Sequence, residues 1–206
     1  MFSIKNRFIF VHPQKCGGTS IEELLQSNYN ENDLILAKHE TLTQQINEVK
    51  LLTEFSEDMF FKFGVVRNPW DRMVSWYFFI KEVQVVKDLN ENGRITRPTW
   101  ERISSMSFHD FVLATETNFA FFYHKSLTQF HFHNKKCGLD YLIRFENYEK
   151  DVNHLIKLLN LPSNTVMPHA LKANTKRNYK DFYTEETKQI IAKNFAEDIE
   201  WLGYTF

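Results

Sequence analysis

The stretch His12-Pro13-Gln14-Lys15-Cys16-Gly17-Gly18-Thr19-Ser20 gathers one ammonium, two adjacent glycines and two hydroxyls within nine residues. Adjacent glycines let a backbone approach an anion with no Cβ in the way, and exposed N–H groups at a helix start carry about half a positive charge. Lys15 adds a full charge, so the stretch reads as a phosphate loop, with a tight strand-to-helix turn that holds no ligand as the competing reading. It is not a Walker A loop. There Lys follows the last glycine of GxxxxGK[ST], whereas Lys15 precedes Gly17-Gly18. A second stretch, Phe63 to Tyr77, places Arg67 at the end of an apolar run and Ser75 eight residues on. A guanidinium fixed at a strand end grips phosphate through two parallel hydrogen bonds, and a hydroxyl can complete the cradle; the competing reading for Arg67 is an ion pair with Asp71. That run ends in Arg67 rather than in Asp, which leaves no acidic strand end for magnesium and disfavours an ATP or GTP hydrolase.

Other side chains invite chemistry less strongly. Cys16, a thiol beside Lys15 at a helix start, has the setting of a lowered pKa and of a redox or phosphatase-like nucleophile. A phosphatase loop ends in Arg after its glycines, and this one ends in Thr19-Ser20, so Cys16 reads as a small loop residue. His39 follows the run Leu34 to Ala37 and is the favoured proton acceptor among eight histidines; Glu40 and His12 are weaker choices, His12 being suited to brace the loop. His124, His131 and His133 stand among Phe119, Phe121, Phe122, Tyr123, Phe130 and Phe132, a setting for helix packing rather than for a metal.

These residues need elements to hold them. Apolar runs of strand length occur at Phe8 to Val11, Leu34 to Ala37, Phe60 to Val66 and Tyr141 to Phe145. Helical patterns lie between and after them. Ile21, Leu24 and Leu25 share one face, Asn68-Pro69 caps a helix over 70–81, Tyr148 to Leu159 repeats apolar residues at helical spacing, and a last helix spans 184–202. Strands alternating with helices predict an α/β fold, a mainly parallel sheet with helices on both faces in three layers, which collects ligands at the carboxyl ends of its strands. With no repeat or linker, residues 1–206 read as one domain; the polar segment 82–107, with Asn90-Glu91-Asn92-Gly93, reads as an irregular insertion, a lid or acceptor-side element.

Composition sets the outer limits. The 206 residues are 43% hydrophobic and 25% charged with few Gly and Pro, which excludes collagen-like and disordered chains. With 25 basic against 26 acidic residues the net charge is −1, far from a general nucleic-acid binder, so any polyanion must meet a local cationic site. No apolar run is long enough for a membrane span, and the two cysteines, Cys16 and Cys137, form neither a disulfide framework nor a metal spacing. A cytoplasmic location is expected.

Together the Lys15 loop and the Arg67/Ser75 stretch resemble the sulfotransferases with a P-loop NTPase-like fold, in particular the carbohydrate, heparan-sulfate 2-O-like group. That family's first motif reads approximately H-I-P-K-[TC]-[GA]-G-T-S, and its second R-N-P-x-[DE]-R-x-x-S-x-Y. Later stretches also look similar: Ile143 to Asn147, Asn174 to Arg177, and Asp198 to Tyr204. One departure is the proline, one place early at Pro13. The resemblance implies the sulfuryl donor PAPS (3′-phosphoadenosine 5′-phosphosulfate), with PAP as product and no metal. Lys15, Cys16, Gly17, Gly18, Thr19 and Ser20 would then take the 5′-phosphosulfate, and Arg67 and Ser75 the 3′-phosphate. A late loop carrying Lys172, Lys176 and Arg177 would close over the nucleotide, and His39, matching a His-x-Thr segment, would be the base. The acceptor would be a hydroxyl on a carbohydrate or small metabolite. A small-molecule kinase and a non-catalytic nucleotide-binding module are the alternatives.

Overall fold

The computed structural model describes residues 1–37, 40–117, 128–129, 133–134, 138–166 and 177–206. Its elements in chain order are β1 (Phe2–Ser3), β2 (Phe8–Val11), α1 (Gly18–Asn28), α2 (Leu42–Leu52), β3 (Phe61–Val66), α3 (Pro69–Phe78), α4 (Val85–Asn92), α5 (Pro98–Ser105), α6 (Phe108–Thr117), β4 (Tyr141–Arg144), α7 (Tyr148–Leu158), α8 (Glu185–Asn194) and α9 (Ala196–Leu202). Two compact units result, Met1–Arg67 with Gln129–Thr175, and Asn68–Thr128 with Lys176–Phe206.

The first unit holds a four-stranded sheet in the order β1-β2-β3-β4. β2, β3 and β4 are parallel, in register Val11 to Gly64 and Val66 to Arg144, while β1 adds an antiparallel edge. Parallel strands covered on both faces are apolar over most of their length, which is why Phe8–Val11 and residues 63–66 do not alternate; Lys62, near the start of β3, is the exception. Phe8, Phe10, Phe63, Val65 and Ile143 of the sheet meet Ile21, Leu24 and Leu25 of α1 and Val152, Leu155 and Ile156 of α7 in one buried core. Gly64 interrupts β3 for a steric reason. A Cβ there would fall 2.4 Å from the ring of His133, a fully buried imidazole that hydrogen-bonds the Val65 carbonyl at 3.1 Å. His133 is therefore a packing residue, as its aromatic surroundings predict.

The second unit is helical among its described residues. Asn68 caps α3, its side-chain oxygen accepting from the Trp70 and Asp71 amides with Pro69 at the first position, as the sequence predicts. The helix runs on through a widened π turn, Phe79–Gln84, into α4. Tyr77, Phe108, Phe111, Phe182 and Tyr183 pack ring on ring within this unit.

Four expectations change. The run Leu34 to Ala37 is not a strand of the sheet: only Ile35 pairs, in a single antiparallel bridge to Phe2, while Leu36 stays exposed. Its one partner on the sheet is Phe2 of β1, so the run is not a strand whose carboxyl end would carry the residues that follow it to the ligand edge. α2 is an unforeseen helix, begun by a capping box between Thr41 and Gln44 and held by buried Leu42, Ile46 and Val49. Segment 82–107 is helical rather than irregular. Its periodicity is hidden because Val83, Val86 and Leu89 face solvent, whereas Val85 and Asp88 point inward and Asp88 accepts two hydrogen bonds from Thr96. Finally, the last helix breaks at Phe195, where the cap residue of α8 and α9 leaves helical geometry.

Candidate functional site

β2 ends at Val11, and the chain turns through residues 12–17 into α1. Lys15 and Gly17 both sit in the left-handed region, at φ of +66° and +87°, on either side of Cys16. Alternating backbone handedness makes successive N–H groups converge on one concave side, the geometry of anion nests. The first amides of α1 follow directly, with no side-chain cap at Gly17 and no carboxylate in the first turn. The positive end of the helix is thus left to whatever enters the loop.

Both glycines are also demanded by packing. Gly17 combines positive φ with contact to Phe145 and Tyr148, which a Cβ would approach to 3.1 Å. Gly18 has the tighter fit, since a Cβ there would lie 2.2 Å from the His12 ring. His12 is itself buried, stacked on Phe10 and bonded through Nε2 to the buried Glu22 of α1 at 3.0 Å. It braces the loop from beneath. Tyr148 fastens the other side, donating to the Gly17 carbonyl and hydrogen-bonding Ser20; burial pushes its hydroxyl pKa well up, so it stays a proton-bearing donor.

Arg67, directly after β3, reaches this loop. Its Nη1 donates to the Lys15 carbonyl at 3.1 Å, and its guanidinium lies over the Phe145 ring at 4.0 Å. Two cations are therefore brought to one turn. Burial first, and the charge of Arg67 second, bring the Lys15 ammonium down from 10.5 to about 8. Such a pair is costly without an anion and favourable with one. The Cys16 side chain is fully buried in the core, its Sγ within 3.4 Å of the Gln129 Oε1, so the thiol is not presented to a ligand. Thr19 is exposed and Ser20 half-buried at the loop's far end.

In the second unit, Ser75 lies half-buried on the second turn of α3. Arg177 there donates to Glu82 Oε1 at 2.6 Å and stacks on Phe78 at 3.9 Å. His39, Lys172 and Lys176 lie outside the described residues. Glu40, the neighbour of His39, has its carboxyl pKa raised by burial and then by the charge of Glu48. Among the described residues no group of three or more His, Cys, Asp or Glu side chains could hold a metal ion, and no helix is long and apolar enough to cross a membrane.

The family model described as "Sulfotransferase family" matches residues 1–205. The chain belongs to the sulfotransferase family. Neither the curated proteins nor the solved structures give a match. For this sulfotransferase the anticipated loop, Lys15 to Ser20, and Arg67 come together in one unit. Of the residues that secure them, His12 acts as the brace the sequence suggests, whereas Phe145, Tyr148 and Gln129 were not foreseen. Phe145 and Tyr148 could have been found as aromatics just past the fourth strand, on the ligand edge of the sheet. Gln129 gives no such signal: its side chain meets Arg67 across 62 residues of chain.

Proposed function

We propose that this sulfotransferase moves a sulfuryl group from PAPS to a hydroxyl of a carbohydrate or small metabolite. One observation carries the reading: the Arg67 guanidinium sits 3.1 Å from the Lys15 carbonyl, joining two cations to a concave, glycine-lined turn. A doubly phosphorylated nucleotide calls for that concentration of charge, and the left-handed backbone at Lys15 and Gly17 with the uncapped start of α1 suits a phosphosulfate end. Lys15, the amides of Cys16, Gly17 and Gly18, and the hydroxyls of Thr19 and Ser20 would hold the 5′ end. Arg67 and, on the motif alone, Ser75 would hold the 3′-phosphate, with Lys176 and Arg177 closing over the nucleotide.

PAPS supplies the sulfuryl group: the bond from the acceptor oxygen to sulfur forms as the bond to the 5′-phosphate oxygen breaks, and PAP leaves. Lys15 and the loop amides neutralise the charge that grows on the departing oxygen. His39 takes the proton of the acceptor hydroxyl. Loss of one such charge-stabilising donor typically costs about 10²–10³ in rate, so Lys15→Ala should lower kcat by that order.

Calorimetry with PAP against ATP, followed by turnover over an acceptor panel, tests the reading. Tighter binding of PAP and sulfation that fails in Lys15→Ala and His39→Ala are expected. A preference for ATP, or indifference to the 3′-phosphate, sinks the PAPS assignment and favours a kinase. PAP binding without turnover of any acceptor leaves a nucleotide-binding module. Full activity in His39→Ala moves the base elsewhere, with Glu40 and its raised carboxyl pKa next in line.

A further inference from the structure

Arg67 lies one residue beyond the last rung of the β3–β4 ladder, Val66 to Arg144, so its backbone polar groups have left the regular sheet. Gln129 meets them. Its Oε1 accepts from the Arg67 N–H at 2.7 Å and its Nε2 donates to the Arg67 carbonyl at 2.8 Å, so one side-chain amide matches both backbone groups of one residue. The same Oε1 accepts from the Cys16 thiol at 3.4 Å, and Gln129 is fully buried. A buried amide with its donor and acceptor both engaged is fixed in orientation, because turning it over would face donor to donor and acceptor to acceptor. The Arg67 Cα is thereby set relative to the loop, and its guanidinium leaves from a fixed point toward Lys15 and Phe145.

We propose that Gln129 is a positioning residue that aims Arg67 and so sets the discrimination between nucleotides with and without a 3′-phosphate. This rests on the reading of Arg67 as a 3′-phosphate ligand. Gln129 touches Arg67 through the backbone, leaving all guanidinium nitrogens to other partners, and it couples that backbone to Cys16 in the neighbouring loop. A displacement of about 1 Å at a clamp of this kind costs as much as 10²-fold.

The test is calorimetry on the full chain with PAP and with adenosine 5′-phosphate, which lacks the 3′-phosphate. Gln129→Met keeps the side-chain length and removes both polar atoms. It should lower the ratio of the two affinities about tenfold or more while adenosine 5′-phosphate binding stays within about threefold. In an Arg67→Ala background the same change should leave the ratio unaltered, an outcome that loosened packing would not produce. Should Gln129→Met fail to fold, Gln129→Glu is read in the same cycle; it keeps the acceptor for the Arg67 N–H, loses the donor to the Arg67 carbonyl, and should also lower the ratio. An unchanged ratio in a folded Gln129 variant, or an equal fall with and without Arg67, overturns the proposal while the PAPS reading stands. A wild-type chain that binds both nucleotides equally removes that reading and the proposal with it.

Discussion

Lys15 carries a pH dependence that belongs to one side chain. Burial and Arg67 hold its pKa at about 8, against 10.5 for the free side chain. A bound phosphate stabilises the ammonium and raises that value again. Below about pH 8 Lys15 is already charged before the ligand arrives, so this group adds no pH dependence. Above it, the free protein has lost the proton and must recover it on binding. Affinity for PAP should therefore fall as pH climbs from 8 toward 10, by at most about tenfold per unit, with proton uptake visible as a buffer-dependent heat. Lys15→Met should abolish the dependence along with most of the affinity. Folding responds in the opposite sense over the same window. Between about 8 and 10.5 the unfolded chain holds a proton that the folded chain has released, so the contribution of Lys15 to stability rises with pH.

At the scale of elements, the junction of β2 and α1 depends on a fit between Gly18 and the His12 ring. Gly18→Ala would drive a methyl group to 2.2 Å from that ring, which is buried and anchored by Phe10 and Glu22. Overpacking of this kind costs about 1–3 kcal/mol. We expect Gly18→Ala to lower Tm and weaken PAP binding, and the double variant His12→Ala/Gly18→Ala to bind PAP better than Gly18→Ala alone; no recovery would separate the glycine from its brace. Elements were legible in the sequence where their signals were local. Asn68-Pro69 announced α3, and the unbroken apolar run Phe8 to Val11 announced a covered strand. The run Leu34 to Ala37 has the same look but lacks ladder partners beyond Ile35, a property no local pattern records. Segment 82–107 hid its helices by turning Val83, Val86 and Leu89 outward.

For the whole molecule, a net charge of −1 describes the sum and not its distribution. Lys15 and Arg67 stand together at one turn, and that much followed from a lysine beside two glycines and an arginine at a strand end. What did not follow is the scaffold around them. Gln129 lies 62 residues from Arg67, and Tyr148 lies 131 from Gly17, so both contacts exist only because the parallel sheet closes distant chain. The left-handed backbone at Lys15 has a consequence for how this chain tolerates change. Glycine occupies that region freely, whereas lysine pays about 1 kcal/mol or more for it, and the desolvated ammonium adds a second cost at neutral pH. Lys15→Gly should therefore raise Tm while removing sulfuryl transfer. If Lys15 acts as proposed, a screen that rewards thermal resistance alone would select against it, placing a stability–activity trade-off at a single address in the chain.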